Sequence, residues 1–148
     1  MKTLILALCL LTQISYAHDD GHGPKLGDQP KFGGKVTAAI NKKEVKKGRD
    51  ATMLYKGELT KTGQNMVRIY LYNKKMKPLK LENVGDAYAE VIYKDRETRK
   101  WTKKKFDLEK KNGSFEGKIP GNPRRPFNID VTIKHDEKNL FMAFDNLH

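Results

Sequence analysis

The residues best suited to chemistry lie near the N-terminus, where two histidines and two aspartates follow Ala17 closely in the order His18, Asp19, Asp20 and His22. If a mature chain begins at His18, its α-amine and its imidazole together form a chelate for Cu(II). His22 then adds a third nitrogen, and an aspartate adds an oxygen. Nitrogen-rich ligation favours copper among the divalent metals. The sequence therefore predicts a metal site at His18 and His22, with copper as the expected cofactor.

A start at His18 depends on the residues before it. Lys2 is followed by the apolar run Leu4–Leu11, and small residues stand at Ser15 and Ala17. This arrangement predicts a secretory signal peptide, residues 1–17, cleaved after Ala17, and hence a periplasmic or secreted protein. The only cysteine, Cys9, would leave with the signal, so no disulfide is expected, which favours a bacterial periplasm or exterior. We expect no transmembrane segment in the mature protein.

The charge of the chain indicates an anionic partner. The net charge is +12, and such a field attracts negatively charged surfaces. Because export is predicted, we expect an anionic envelope polymer, lipid or a partner protein, and no nucleic acid. The basic segment Arg99–Phe106 (RKWTKKKF) is the best candidate for this contact, although Trp101 within it is expected to be half-buried. The alternative is a surface whose lysines only keep the protein soluble and protect edge strands.

The elements that would position these groups are predicted to be β-strands. Apolar and polar residues alternate clearly over Met66–Tyr72 and Phe127–Ile133, which is typical of half-buried strands. Asn112-Gly113 lies between apolar residues and has the composition of a tight hairpin turn.

The spacing of such segments predicts an all-β fold of about seven or eight short antiparallel strands. We expect an Ig-like β-sandwich over residues 33–148, with a small barrel as the alternative. Residues 18–32 are rich in glycine, proline and aspartate without apolar periodicity, and they predict a flexible leader.

Two patterns could be catalytic, but neither has a favourable context. Ser114 follows the Asn-Gly turn without the context of a nucleophile elbow. Glu58 and Glu90 are expected on neighbouring strands, where two carboxylates can act as acid and base, but solvated carboxylates opposite lysine are the simpler interpretation. We therefore expect a binding or accessory protein and not an enzyme.

A histidine at the mature N-terminus in front of a small β-sandwich resembles the periplasmic copper-resistance C proteins and, more distantly, the lytic polysaccharide monooxygenases. The resemblance implies that His18 forms half of a copper brace. The second brace ligand would come from the folded domain, where His135 is the candidate.

A second resemblance covers more of the chain. Phe32-Gly33-Gly34-Lys35-Val36, the segment Tyr55–Leu59 and the segment Val67–Pro78 are similar in order to small exported Ig-like domains found beside bacterial heavy-metal efflux systems. Those domains carry histidine where this chain has Phe32. The resemblance implies an accessory role next to metal transport, and it supplies no activity to carry over to this chain.

The sequence thus leaves two functions open. The leading prediction is an exported envelope protein that binds copper or another transition metal through His18 and His22. The alternative is a basic interaction module that docks on an anionic envelope component without metal.

Overall fold

The computed structural model describes residues 23–63 and 65–148, and in this part of the chain nearly every element is a strand. A 3-10 helix, Lys42–Asp50, follows the first strand. The strands are β1 (Lys35–Asn41), β2 (Met53–Thr62), β3 (Met66–Tyr72), β4 (Val84–Lys94), β5 (Trp101–Lys111), β6 (Ser114–Lys118), β7 (Phe127–His135) and β8 (Lys138–Leu147). No helix among the described residues is long and apolar enough to cross a membrane.

The eight strands close into one antiparallel barrel. Their order around it is β1-β2-β3-β6-β5-β4-β7-β8, and β8 returns to pair with β1 at Ile40–Phe141. The predicted all-β class and strand number are therefore confirmed. The expected Ig-like sandwich is not confirmed, because two separate sheets would each have edge strands, whereas each of these strands has a partner on both sides.

Alternating side chains fill the inside of the barrel. On β7, Phe127, Ile129, Val131 and Ile133 are all buried, as their sequence periodicity predicts. Space inside is so limited that β2 has a glycine at an inward position: a Cβ on Gly57 would lie 2.3 Å from the sulfur of Met142. The interior is a packed core, so the chain's polar chemistry is concentrated on the outside and at the two ends of the barrel.

The tight turn predicted at Asn112-Gly113 joins β5 to β6. Both residues have positive φ, 49° and 77°, which is the requirement of a type I′ turn, and Lys111 pairs with Ser114 across it. The connection from β6 to β7 is less local, because β5 and β4 lie between these two strands in the barrel. It contains the proline-rich segment Pro120–Pro126 and crosses one end of the barrel.

A second apolar cluster lies on the outside of the barrel. Outward side chains of β1 and β8, including Ile40 and Phe141, are covered by Val45 of the 3-10 helix and by Leu26. The helix is interrupted at Gly48, which has φ 54° and ψ −125°. The packing of Val45 against the outer apolar cluster attaches the 3-10 helix to the barrel wall.

Residues 23–34, which we call the strap, run over the outside of β1 and β2. The carboxylate of Glu58 accepts hydrogen bonds from the backbone N–H groups of Lys31, Phe32 and Gly34 at 2.9, 2.8 and 3.0 Å. The side chain is fully buried, so the expectation that Glu58 is a solvated carboxylate is wrong. The predicted signal peptide and residues 18–22 of the predicted leader lie outside the described residues.

A buried lysine supplies a second attachment of the strap. Lys56, two residues before Glu58 on the same outward side of β2, contacts the carboxylate of Asp28 at 2.7 Å. Lys56 is 6% exposed. Opposite charges on the barrel wall thus hold the strap at two places.

Candidate anion-binding face

The outward side chains of β4 and β5 form the candidate site, which we call the β4–β5 face. Residues that pair across two strands project to the same side of a sheet. The outward pairs are Lys94–Trp101, Ile92–Lys103, Glu90–Lys105 and Tyr88–Asp107. Most of the predicted basic segment Arg99–Phe106 therefore lies on β5, with Trp101, Lys103 and Lys105 in one outward row.

Trp101 is the most accessible large ring of this face. The residue is 58% exposed, so the expectation of a half-buried tryptophan is wrong. The physical reason is its position: it is the first residue of β5, its partner is the last residue of β4, and it points outward at the end of the barrel. An indole ring in this setting offers a flat surface that a ligand can cover.

The two lysines that follow Trp101 on the outward row have different neighbours. Lys103 Nζ lies 3.4 Å from a carboxylate oxygen of Glu90. Lys105 Nζ lies over the ring of Tyr88, 3.9 Å from the ring centroid, in the geometry of a cation–π contact. Glu90, which is directly across from Lys105, thus contacts Lys103. The ammonium of Lys105 contacts the ring of Tyr88.

A third lysine reaches the same phenol from outside the sheet. Lys42, at the start of the 3-10 helix, places its Nζ 2.6 Å from Tyr88 Oη and 3.3 Å from Thr132 Oγ1. The hydrogen bond with Lys42, followed by one with Thr132, holds the pKa of Tyr88 below its ordinary value. Sequence reasoning did not single out Lys42, Tyr88 or Thr132. The sequence offers one signal for Tyr88: it lies between the buried Ala87 and Ala89, at a position where the alternation of β4 predicts an outward side chain.

The predicted metal ligands are placed as follows. His18 and His22 lie outside the described residues. His135, the candidate second ligand, is half-buried at the end of β7, with Nδ1 3.0 Å from Asp136 and its ring 5.0 Å from that of Tyr55. Within residues 23–63 and 65–148, no three His, Cys, Asp or Glu side chains gather in a way that could hold a metal ion.

The three possible catalytic residues, Ser114, Glu58 and Glu90, make structural contacts. Ser114 is buried, and its hydroxyl donates to the carbonyl of Lys111 at 2.9 Å within the tight turn. The expectation that Glu58 and Glu90 lie on neighbouring strands is wrong, because β2 and β4 are not adjacent in the barrel. Glu58 holds the strap and Glu90 contacts Lys103, so these two carboxylates do not form an acid–base pair.

Comparisons of the chain with family models, with curated proteins and with solved structures gave no significant match.

Proposed function

We propose that the protein is an exported accessory protein of the cell envelope that binds an anionic glycan polymer through the β4–β5 face. The observation that carries this proposal is Trp101, a residue that is 58% exposed, in one outward row with Lys103 and Lys105. An aromatic ring stacks on the apolar face of a sugar, while ammonium groups contact anionic substituents. The net charge of +12 adds a long-range attraction for such a polymer.

The shape of the face favours a chain-like ligand. Outward residues of one strand succeed each other every second residue, so Trp101, Lys103 and Lys105 lie along a line of about 13 Å. A linear row of this kind can follow a polymer chain. The packed interior of the barrel further supports binding on the outer surface.

A binding assay on envelope polymers tests this function. We expect the protein to bind phosphate-bearing or carboxylate-bearing glycans, with affinity that falls as salt rises because charge contacts are screened. Trp101→Ala and Lys103→Met should each weaken binding. Lys80→Met, which removes the same charge from the β3–β4 loop, is the matched control. Equal binding by Trp101→Ala and the wild type, or binding only to phosphatidylglycerol vesicles, would contradict the proposal.

Metal binding in the leader is a second and separate proposal. It is supported by the closely spaced His18 and His22 and by the strap, which attaches the following residues to the barrel through Glu58. Titration of the protein beginning at His18 with Cu(II) should show tighter binding than titration of a form lacking residues 18–23. Affinity that is unchanged by the deletion, or no better than that of a generic peptide, would reject it.

A further inference from the structure

We propose that the side chains gathered around Tyr88 form a clamp for a phosphate group. The clamp comprises Lys42, Tyr88, Lys105 and Thr132. This inference rests on the proposed function, because it names the anionic group that the β4–β5 face binds. It makes phosphate-bearing glycans the class of ligand.

The geometry brings two ammonium groups to one phenol. Lys42 Nζ lies 5.1 Å and Lys105 Nζ 3.9 Å from the centroid of the Tyr88 ring. The two lysines come from different elements, the 3-10 helix and β5, so the close approach is a product of the fold. In the proposed clamp, a tetrahedral anion beside this ring would accept hydrogen bonds from both ammonium groups.

The electrostatic setting leaves both lysines directed to neutral groups. Lys42 contacts the hydroxyls of Tyr88 and Thr132, and Lys105 contacts the face of the phenol ring. The nearest carboxylates in register are Glu90, which Lys103 contacts, Asp107, which is opposite Tyr88, and Asp130, which is opposite Glu90 on β7. Asp107 and Asp130 therefore border the clamp on its two sides, and a bound anion would lie between them at the two ammonium groups.

The hydroxyl groups add directional contacts. Tyr88 Oη accepts a hydrogen bond from Lys42, which leaves its own O–H able to donate to an oxygen of the ligand. A cavity of about 480 Å³ lies beside Lys42 and is also lined by Lys43, Lys138 and Glu137. Lys42 is the clamp residue that lines this cavity, and the three lysines around it give a surplus of positive charge on that side of the clamp.

The distance between Trp101 and the clamp determines which other chemical groups the ligand must have. Lys105 and Trp101 are four residues apart on one strand, about 13 Å. One phosphate cannot contact both. A chain with sugar rings and phosphates can place a ring on Trp101 and a phosphate in the clamp.

Calorimetric titration of the full chain with phosphomannan, polyphosphate and neutral mannan tests the clamp. Phosphomannan should bind most tightly and neutral mannan most weakly. Tyr88→Phe, which keeps the ring, and Lys42→Met should each weaken binding of both phosphorylated polymers about tenfold, as loss of one charge-assisted hydrogen bond predicts. Trp101→Ala should weaken binding of phosphomannan but not of polyphosphate. Lys80→Met is again the control, and thermal melting shows whether each variant folds.

A second measurement separates failure of the clamp from failure of the proposed function. Titration with inorganic phosphate should shift the NMR resonances of Lys42, Tyr88 and Lys105 before those of other lysine-rich segments. If inorganic phosphate shifts the resonances of all lysine-rich segments equally and only slightly, the clamp is overturned, even if the polymer binds. If the polymer does not bind but phosphate shifts these residues selectively, the proposed function fails and the clamp stands. Polymer binding that Tyr88→Phe and Lys42→Met leave unchanged also overturns the clamp.

Discussion

Glu58 is a carboxylate whose burial is compensated by hydrogen bonds. Burial raises the pKa of the carboxyl, but hydrogen bonds from the backbone of Gly34, Phe32 and Lys31, and from Tyr72, more than offset this effect and lower the pKa below its ordinary value. Tyr72 donates its hydroxyl hydrogen to Glu58. Burial, together with this contact, raises the pKa of Tyr72 well above its ordinary value. The ionised form of Glu58 is therefore the one that stabilises the fold.

This leads to a prediction for Glu58→Gln. The amide keeps one acceptor oxygen but loses the charge, so we expect a loss of about 2 to 3 kcal/mol in the free energy of unfolding at neutral pH. Because the folded-state pKa is lowered, the contribution is complete above the unfolded-state pKa and is lost as pH falls through the folded-state pKa. Urea unfolding of both proteins at neutral and acidic pH measures this.

The difference in the free energy of unfolding between the wild type and Glu58→Gln should therefore become smaller as the solution becomes acidic. Glu82→Gln, at an exposed loop position, is the control and should change stability little at any pH. A difference for Glu58→Gln that stays constant down to acidic pH would show that the charge of Glu58 is not what holds the strap.

The strap is an element with little secondary structure that nevertheless has a fixed path. Its last turn passes so close to β2 that a Cβ on Gly34 would lie 2.3 Å from the carbonyl oxygen of Leu59. That neighbour is backbone, which cannot rotate away as a side chain can. Gly34 is thus required by close approach, and the N–H that it gives to Glu58 depends on the same approach.

We accordingly predict that Gly34→Ala displaces the end of the strap. The expected cost is about 1 to 3 kcal/mol of stability, from overpacking together with weakened contacts to Glu58. Gly27→Ala is the matched control in the same strap, since no atom lies within 4 Å of the Cβ it would carry. Unfolding midpoints and proteolysis of the strap measure the effect, and equal behaviour of the two variants would refute it.

At the scale of the whole molecule, the closure between β1 and β8 is the shortest strand pairing of the barrel. These strands share the register pairs Ile40–Phe141 and Asn41–Leu140, whereas β4 and β7 pair along most of their length. Beyond the short ladder, side chains supply contacts to the end of the chain: the ammonium of Lys35 donates to the carbonyl of Asp145, and that of Lys61 to the carbonyl of His148. Local opening should therefore begin between β1 and β8.

Amide hydrogen exchange tests where the barrel opens. We expect amides that point from β8 toward β1 to exchange faster than those shared by β4 and β7. Lys35→Met should accelerate exchange near Asp145 and leave that of β4 and β7 unchanged. Uniform protection around the barrel, or global acceleration in Lys35→Met, would contradict this order of opening.

The alternation of apolar and polar residues and the turn residues predict single strands and local turns, but they do not predict how the strands are arranged. The period-two pattern of Phe127–Ile133 predicts a strand and its buried face, and Asn112-Gly113 predicts a local turn, because both depend on near neighbours. Alternation does not specify which strand lies beside which. The pairings β3–β6 and β4–β7, and therefore barrel closure, come from contacts between distant segments.

The candidate site was predictable only in part for a related reason. The basic segment around Trp101 is visible in the sequence because its charges are consecutive. Lys42 and Tyr88 are 46 residues apart, and no local pattern joins them. The strap lacks apolar periodicity, so its attachment to Glu58 could not be read from composition either.

The exposed position of Trp101 also makes the protein its own optical probe. It is the only tryptophan of the chain, and the residue is 58% exposed in the folded state. Its fluorescence should therefore already be close to that of indole in water, and unfolding should change the emission wavelength little. A ligand that covers the ring should shift the emission to shorter wavelength, so intrinsic fluorescence would report occupancy of the β4–β5 face while remaining nearly silent about folding.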